Sequence, residues 1–266
     1  MTTNAAPPPQ TIGELLRRWR EQRRLSQLEL ALQAEISTRH LSFVETGRAS
    51  PSRDMVLHLA EHLEVPLRER NSLLLAAGYA PVYFEASMDS PQMRAVRSAV
   101  RDILTAHEPN PAVVLDRHWN IVDANASVSL FTQGVADFLL KPPVNALRLS
   151  LHPEGAAPNI LNLQQWRAHL LGRLRRQIAH TTDPQLIQLY AEVREFPHEN
   201  AESEVEVPGP GDVVVPLRYR FSGHELAFFS TVAVFGTPLD ITVDELAIEL
   251  FFSSDAATAA FLRKRV

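Results

Sequence analysis

The chain has 266 residues, 45% of them hydrophobic, which is longer than one typical domain and ample for packed cores. It contains no cysteine, which excludes a disulfide frame, a thiolate metal site and a thiol nucleophile, and fits a reducing compartment. The formal net charge of −5 is unevenly spread: residues 1–80 carry ten Arg and nine acidic residues, net +1, and the remainder nets −6.

Residues 1–10, with three consecutive prolines, have the composition of a disordered tail and lack the basic and apolar segments of a secretory signal. No stretch approaches the roughly 18 consecutive apolar residues of a membrane span, so no membrane association and a cytoplasmic location are expected.

Residues 11–80 read as a string of short helices: Ile12 to Arg23, Ser26 to Ala34, Ser37 to Thr46, Ser52 to Leu63 and Leu67 to Ala77. Ser26 and Ser37 are candidate N-caps, Gly47 suits the left-handed conformation after a helix, and Pro51 and Pro66 break the pattern. Arg17, Arg18, Arg20, Arg23 and Arg24 crowd one predicted helix, which is open to two readings: a local positive potential or an ordinary solvated face.

The run SQLELALQAEISTRHLSFVETGR, residues 26–48, is the most specific signal. Two helices locked at a steep angle need a small residue at the crossing and apolar residues gripping the core; Ala31 supplies the first, and Leu28, Leu30, Ile36, Leu41 and Val44 the second. Ser37 then caps a helix whose first turn, Thr38, Arg39 and His40, consists of hydrogen-bonding side chains. Base edges in the major groove are read by such donors and acceptors near a helix N-terminus. Arg39, able to donate two bonds to guanine, is the leading base reader, with Thr38 and Ser42 behind it. Gln27, Arg48 and Ser52 are placed to hold phosphates. In its Ser26, Gln27, Ala31, Ile36, Ser37, Glu45 and Gly47 this run resembles the xenobiotic-response-element-like (XRE) helix-turn-helix regulators, with a lambda-repressor-like all-α bundle. The turn position that glycine usually holds in that family is Glu35 here, and a non-glycine residue in the left-handed region costs about 1–2 kcal/mol. A slightly different turn is therefore expected.

Residues 81–108 carry Met93, Val96, Val100, Ile103 and Leu104 at helical spacing and are expected to form a connecting helix, read either as a signal transmitter or as simple packing. Beyond residue 109 strands and helices mix. Ala112 to Asp116 and Asn120 to Asp123 read as a hairpin. Helices are expected at Ala124 to Phe131, Leu163 to Ile178 and Pro184 to Val193. Strands are expected at Asp212 to Phe221, Leu226 to Phe235 and Leu246 to Ser253, before a last helix. The pattern describes an α+β domain around an antiparallel sheet over residues 109–266.

A wider resemblance covers nearly the whole chain. Residues 37–81, then AHEPNPAVVLDRHWNIVDAN, LHPEG and FGTPLDITVDEL, look like the MmyB-like regulators. That resemblance implies a PAS-like ligand-binding domain for a small hydrophobic molecule, with a fatty-acyl chain as one candidate. Candidate contacts are Tyr219, Phe221, Phe228, Ser230 and Val232 on the sheet's inward face, together with Trp119, Trp166 and His152 of LHPEG, each of which also reads as core or capping.

The chain has no Walker phosphate loop, GxGxxG, HExxH or nucleophile elbow, so neither catalytic nor metal-ligating residues are assigned and no cofactor is expected. His198, Glu199, Glu202, Glu204 and Glu206 read better as an acidic loop than as a metal site. The expected partners are a double-stranded DNA operator, bound as a homodimer, and a small hydrophobic ligand. The alternative is a DNA-binding protein whose second domain binds a protein.

Overall fold

The computed structural model describes residues 10–181, 183–197 and 214–265, and these fall into two units. The first comprises the chain through Ala86 together with Pro238–Asp244; the second comprises Ser87–Thr237 and the chain from Glu245 onward. The expected disordered tail, apart from Gln10, and the His198–Glu206 cluster lie outside the described residues.

The first unit is helical, as its sequence predicts. Its helices are α1 (Ile12–Gln22), α2 (Gln27–Gln33), α3 (Thr38–Glu45), α4 (Arg53–His62) and α5 (Leu67–Ala76). Polar side chains set the starts. Thr11 with Glu14 and Ser26 with Glu29 form reciprocal capping boxes, and Ser37 and Ser52 accept from His40 N–H and Met55 N–H. Arg24, Glu35 and Glu64 follow helix ends in the left-handed region, at φ 55°, 50° and 48°, and Gly47 adopts φ 70°. Glu35 thus holds the conformation for which the family resemblance expects a glycine. The core gathers Leu16, Trp19, Leu30, Leu41, Val44, Leu59 and Leu73.

One sequence expectation fails in this unit. Leu28 does not grip the core but is 57% exposed, because Leu30, Ala31 and Ala34 occupy the inward stripe and Leu28 falls to one side of it, next to the exposed Leu32. A close approach went unread at Gly13 of α1: a Cβ there would lie 2.5 Å from the carbonyl oxygen of Glu45 and 2.6 Å from that of Val44.

The second unit opens with a 3-10 turn at Pro91–Met93 and α6 (Arg94–Ala106), so the helix expected between domains belongs to this unit. Strands β1 (Ala112–Leu115) and β2 (Ile121–Ala124) form the predicted hairpin, with Trp119 at φ 67°. The expected helix at Ala124 to Phe131 is instead a 3-10 turn, Ala126–Val128, followed by α7 (Ser129–Thr132). Then come α8 (Ala146–Leu151), which periodicity in so short a segment does not reveal, α9 (Leu163–Thr181) and α10 (Pro184–Arg194). Strand β3 covers Leu217–Phe221; the described part of the expected Asp212 start, residues 214–216, is not strand. Strand β4 is His224–Ala233.

Between β4 and β5 the chain supplies Pro238–Asp244 to the first unit, including the one-turn α11 (Ile241–Asp244). There the Asp244 carboxylate accepts from the Leu67 N–H at 3.2 Å, at the start of α5, where Pro66 offers no side-chain cap. Asp240 accepts from the Ala86 N–H and Thr242 Oγ1 donates to the Ala86 carbonyl. Strand β5 (Ala247–Ser253) and α12 (Ala256–Arg263) complete the second unit.

The five strands form one antiparallel sheet in the order β2-β1-β5-β4-β3. Alternation divides its faces. Ala112 and Val114 of β1 and Ile248 of β5 pack with Val100 and Leu104 of α6. Val113, Leu115, Tyr219, Phe228 and Phe251 turn to the other face, where Trp166, Leu170 and Leu174 of α9 and Leu186 and Leu189 of α10 close a larger core. Asn145 joins the hairpin to α8. Its amide donates to the His118 carbonyl at 2.8 Å while its Oδ1 accepts from Leu147 and Arg148 N–H.

Candidate DNA interface and ligand cavity

In the first unit, α3 follows α2 across the turn at Glu35 and Ile36, and the Ser37 cap ties down its first turn. Arg39 projects from that turn, exposed, with its guanidinium carbon 5.3 Å from the Phe43 ring centroid; Thr38, His40 and Ser42 are half-buried beside it. Arg48 and Ser52 are exposed beyond α3, and Ser52 also caps α4. The Gln27 amide nitrogen donates to Glu45 Oε2 at 2.8 Å, so at least this end of the side chain is engaged within the unit.

The arginine run divides by structure into separate tasks. Arg20 is buried and makes a bidentate pair with Glu45 of α3: Nε donates to Oε1 at 2.7 Å and Nη2 to Oε2 at 2.9 Å. Its third bond goes to the Leu25 carbonyl. The Glu45 carboxylate holds the Arg20 guanidinium above its ordinary pKa, against the opposing effect of burial. Arg23 donates to the Leu63 and Glu64 carbonyls, and Arg17 pairs with Glu21 at 2.8 Å. Arg20 and Arg23 therefore hold helices together, while Arg17 stays within its own. Sequence reading placed Glu45 only as a motif position and missed this lock, whose signal was an acidic residue at the inward end of α3 beside an arginine-rich helix.

In the second unit a partly open cavity of about 70 Å³ lies between the sheet's inner face and helices α8 and α9. Its wall is largely apolar, with Val113, Leu115, Phe131, Leu147, Leu170 and Phe251 among its members. Of the eight expected ligand contacts, Trp119, Trp166 and Tyr219 line it. Phe228 lies behind Phe131, 5.8 Å between ring centroids, Ser230 bonds to Glu249, Val232 is 45% exposed, and Phe221 packs on Phe261. His152 stands off the cavity between the Phe138 and Phe196 rings, and its Nδ1 accepts from the Glu154 N–H at 3.0 Å. The LHPEG turn requires its glycine, since a Cβ on Gly155 would meet the Leu149 carbonyl oxygen at 2.4 Å.

Few polar groups reach the cavity. Trp119 Nε1 donates to Gln177 at 2.8 Å and Trp166 Nε1 to Ser150 Oγ at 3.1 Å, so both indoles are satisfied and held in place. His169 stacks on Trp166 at 5.3 Å, and burial, then the nearby Arg173, holds its imidazole below the ordinary pKa. Burial raises the Tyr219 phenol, partly offset by a bond with Asn159. Glu249, which the sequence reading did not single out, is buried in the wall and pairs with Arg173 at 2.8 Å. No group of His, Asp and Glu among the described residues is arranged to hold a metal, and no described helix is long and apolar enough to cross a membrane.

A helix-turn-helix bundle in one chain with an α+β unit built around an apolar cavity is the make-up of a DNA-binding transcription regulator with a ligand-binding domain. Residues 11–73 match the family described as helix-turn-helix domain, and residues 96–264 match the MmyB-like transcription regulator ligand binding domain. The chain belongs to the MmyB-like transcription regulators. No curated protein matches it. Among solved structures, one titled "Structure of an RNA-binding Light-Oxygen-Voltage Receptor" is similar at 15% identity and a TM-score of 0.31, over 98% of this chain and 62% of that one. A likeness that weak carries no argument about function.

Proposed function

We propose that the protein is a one-component regulator acting in the cytoplasm, which binds a two-fold operator as a homodimer and adjusts its DNA affinity to a small hydrophobic ligand. The observation that supports the DNA half is the first turn of α3: an exposed Arg39 with Thr38 and Ser42 beside it, on a helix anchored through the Arg20–Glu45 pair. Arg39 is assigned to a base edge, Thr38, His40 and Ser42 to neighbouring contacts, and Gln27, Ser37, Arg48 and Ser52 to phosphates. The apolar cavity supports the ligand half, and an acyl chain suits its wall.

The test is selection of bound duplexes from a randomised pool, run on wild type and Arg39→Ala at one salt concentration. Wild type is expected to enrich a two-fold symmetric motif, and the variant to lose about 1–3 kcal/mol of preference at one base position per half-site. Failure of both to enrich any sequence would assign the helix-turn-helix to a protein contact instead.

A further inference from the structure

Seven residues of the β4–β5 connection, Pro238–Asp244, belong to the first unit although the chain on either side of them belongs to the second. Their side chains hold them there. Ile241 and Val243 are buried, and the Ile241 N–H donates to the Phe84 carbonyl at 2.8 Å. The Asp240 carboxylate accepts from the Ala86 N–H through Oδ2 and from the Thr242 N–H through Oδ1, and Thr242 Oγ1 donates to the Ala86 carbonyl. Asp244 gives the Leu67 N–H, at the first residue of α5, the acceptor that the Pro66 side chain cannot, and a negative charge there suits the helix dipole.

The chain passes between the units at three places, after Ala86, after Thr237 and after Asp244. On the second-unit side each passage reaches one small core within about two residues, through Met88, Phe235 and Leu246, which pack with Ala112, Val114 and Ile248. Two residues of chain span at most about 7 Å, which leaves little to absorb a displacement of that core. Ala112 and Val114 lie on β1 and Ile248 on β5, and alternation turns their neighbours Val113, Leu115, Glu249 and Phe251 into the cavity wall on the other face. One hydrogen-bonded pair of strands is thus both a wall of the cavity and the seat of all three links.

We propose that the β4–β5 connection is a relay: filling the cavity shifts β1 and β5, and Pro238–Asp244 carries that shift to the start of α5, with Asp244 as the positioning residue. The relay rests on the reading of the protein as a regulator whose DNA affinity answers to a cavity ligand. Close-packed elements transmit a shift instead of dissipating it, because their interiors are nearly incompressible. At the receiving end, Leu73 and Leu74 of α5 share a core with Leu16 of α1, Leu30 of α2 and Leu41 of α3. A shift of α5 therefore bears on the helices that present Arg39.

The test measures the affinity of the full chain for its selected operator duplex by fluorescence anisotropy, with and without saturating octanoate, in wild type, Asp244→Ala and Asp244→Asn. Octanoate is expected to change wild-type operator affinity about tenfold, within the ordinary range of such couplings. Asp244→Ala, which deletes the acceptor, is expected to reduce that factor to about twofold or less, and Asp244→Asn, which keeps an accepting oxygen, to retain most of it. If Asp244→Ala weakens operator binding by one factor whether or not octanoate is present, the residue only supports α5, and the relay is overturned while the regulator reading stands. A wild type that binds octanoate, by calorimetry, without a change in operator affinity would overturn the regulator reading and the relay together. Octanoate that does not bind at all would overturn the ligand reading of the cavity, and the relay with it. If Asp244→Ala does not fold, by circular dichroism, hydrogen exchange on wild type decides: octanoate is expected to change the protection of the amides at residues 67–70, and unchanged exchange there would overturn the relay.

Discussion

Arg20 and Glu45 carry opposite charges on α1 and α3 and are both almost wholly buried, with side chains 9% and 1% exposed. Such a pair contributes little net stability compared with a hydrophobic pair, but removing one partner strands the other charge. Glu45→Ala is therefore expected to cost the first unit about 3–5 kcal/mol, read from a chemical denaturation midpoint. The double change Arg20→Met with Glu45→Met should recover most of that loss. If the single and double variants were equally unstable, the net stabilisation of the ion pair itself rather than a stranded charge would be the cause. The same two residues show how a sequence run can mislead at this scale. Arg17, Arg20 and Arg23 look alike in one helix, yet one pairs with its own helix, one crosses to α3, and one reaches the carbonyls at the end of α4. Side-chain direction on a helix follows from residue spacing, but the partner waiting there does not.

At the scale of elements, the start of α1 is set against the end of α3 through Gly13, whose missing side chain lets it approach the backbone carbonyls of Val44 and Glu45. In an isolated helix Gly→Ala is stabilising by up to about 1 kcal/mol. Here the clash is with backbone, which cannot rotate aside, so Gly13→Ala is expected to destabilise by about 1–3 kcal/mol in denaturant titration. Because the carbonyls concerned belong to α3, operator affinity should fall as well, at a temperature where the variant is still folded. A stabilised variant would mean that α1 shifts without strain. The helix boundaries themselves were legible, with α1 to α5 predicted within a residue or so, because caps and left-handed turns are local events. The short α8 and the edge of β3 were not, since their limits depend on Asn145 capping and on Asn162, whose Oδ1 accepts from Arg218 N–H and whose amide donates to the Pro216 carbonyl.

For the whole molecule, the proposed regulation makes a thermodynamic demand that does not depend on the route of coupling. If a cavity ligand changes operator affinity tenfold, about 1.4 kcal/mol, then saturating operator must change ligand affinity tenfold in the same direction. Titrating octanoate, a short acyl probe, into the protein with and without the selected operator duplex measures this directly. Equal affinities would exclude coupling, though both sites would stand. Binding shifts on only one side of the cycle would indicate a second binding event.

The sequence by itself determined the helix-turn-helix, the two-part organisation and the antiparallel sheet, since all three rest on local caps, turn conformations and periodicity that neighbouring residues enforce on one another. It also placed Arg39 on the exposed first turn of α3, because Ser37 caps that turn within the same short stretch. Only the tertiary structure decided which inward-facing aromatics share a cavity, and it brought Trp119, Trp166 and Tyr219 there while seating Phe228 behind Phe131. It alone brought Arg173 to Glu249, 76 residues apart, and Asp244 to the start of α5, 177 residues apart. Contacts at such separations come from the packing of whole elements, and no periodicity in either segment records the partner that packing will supply.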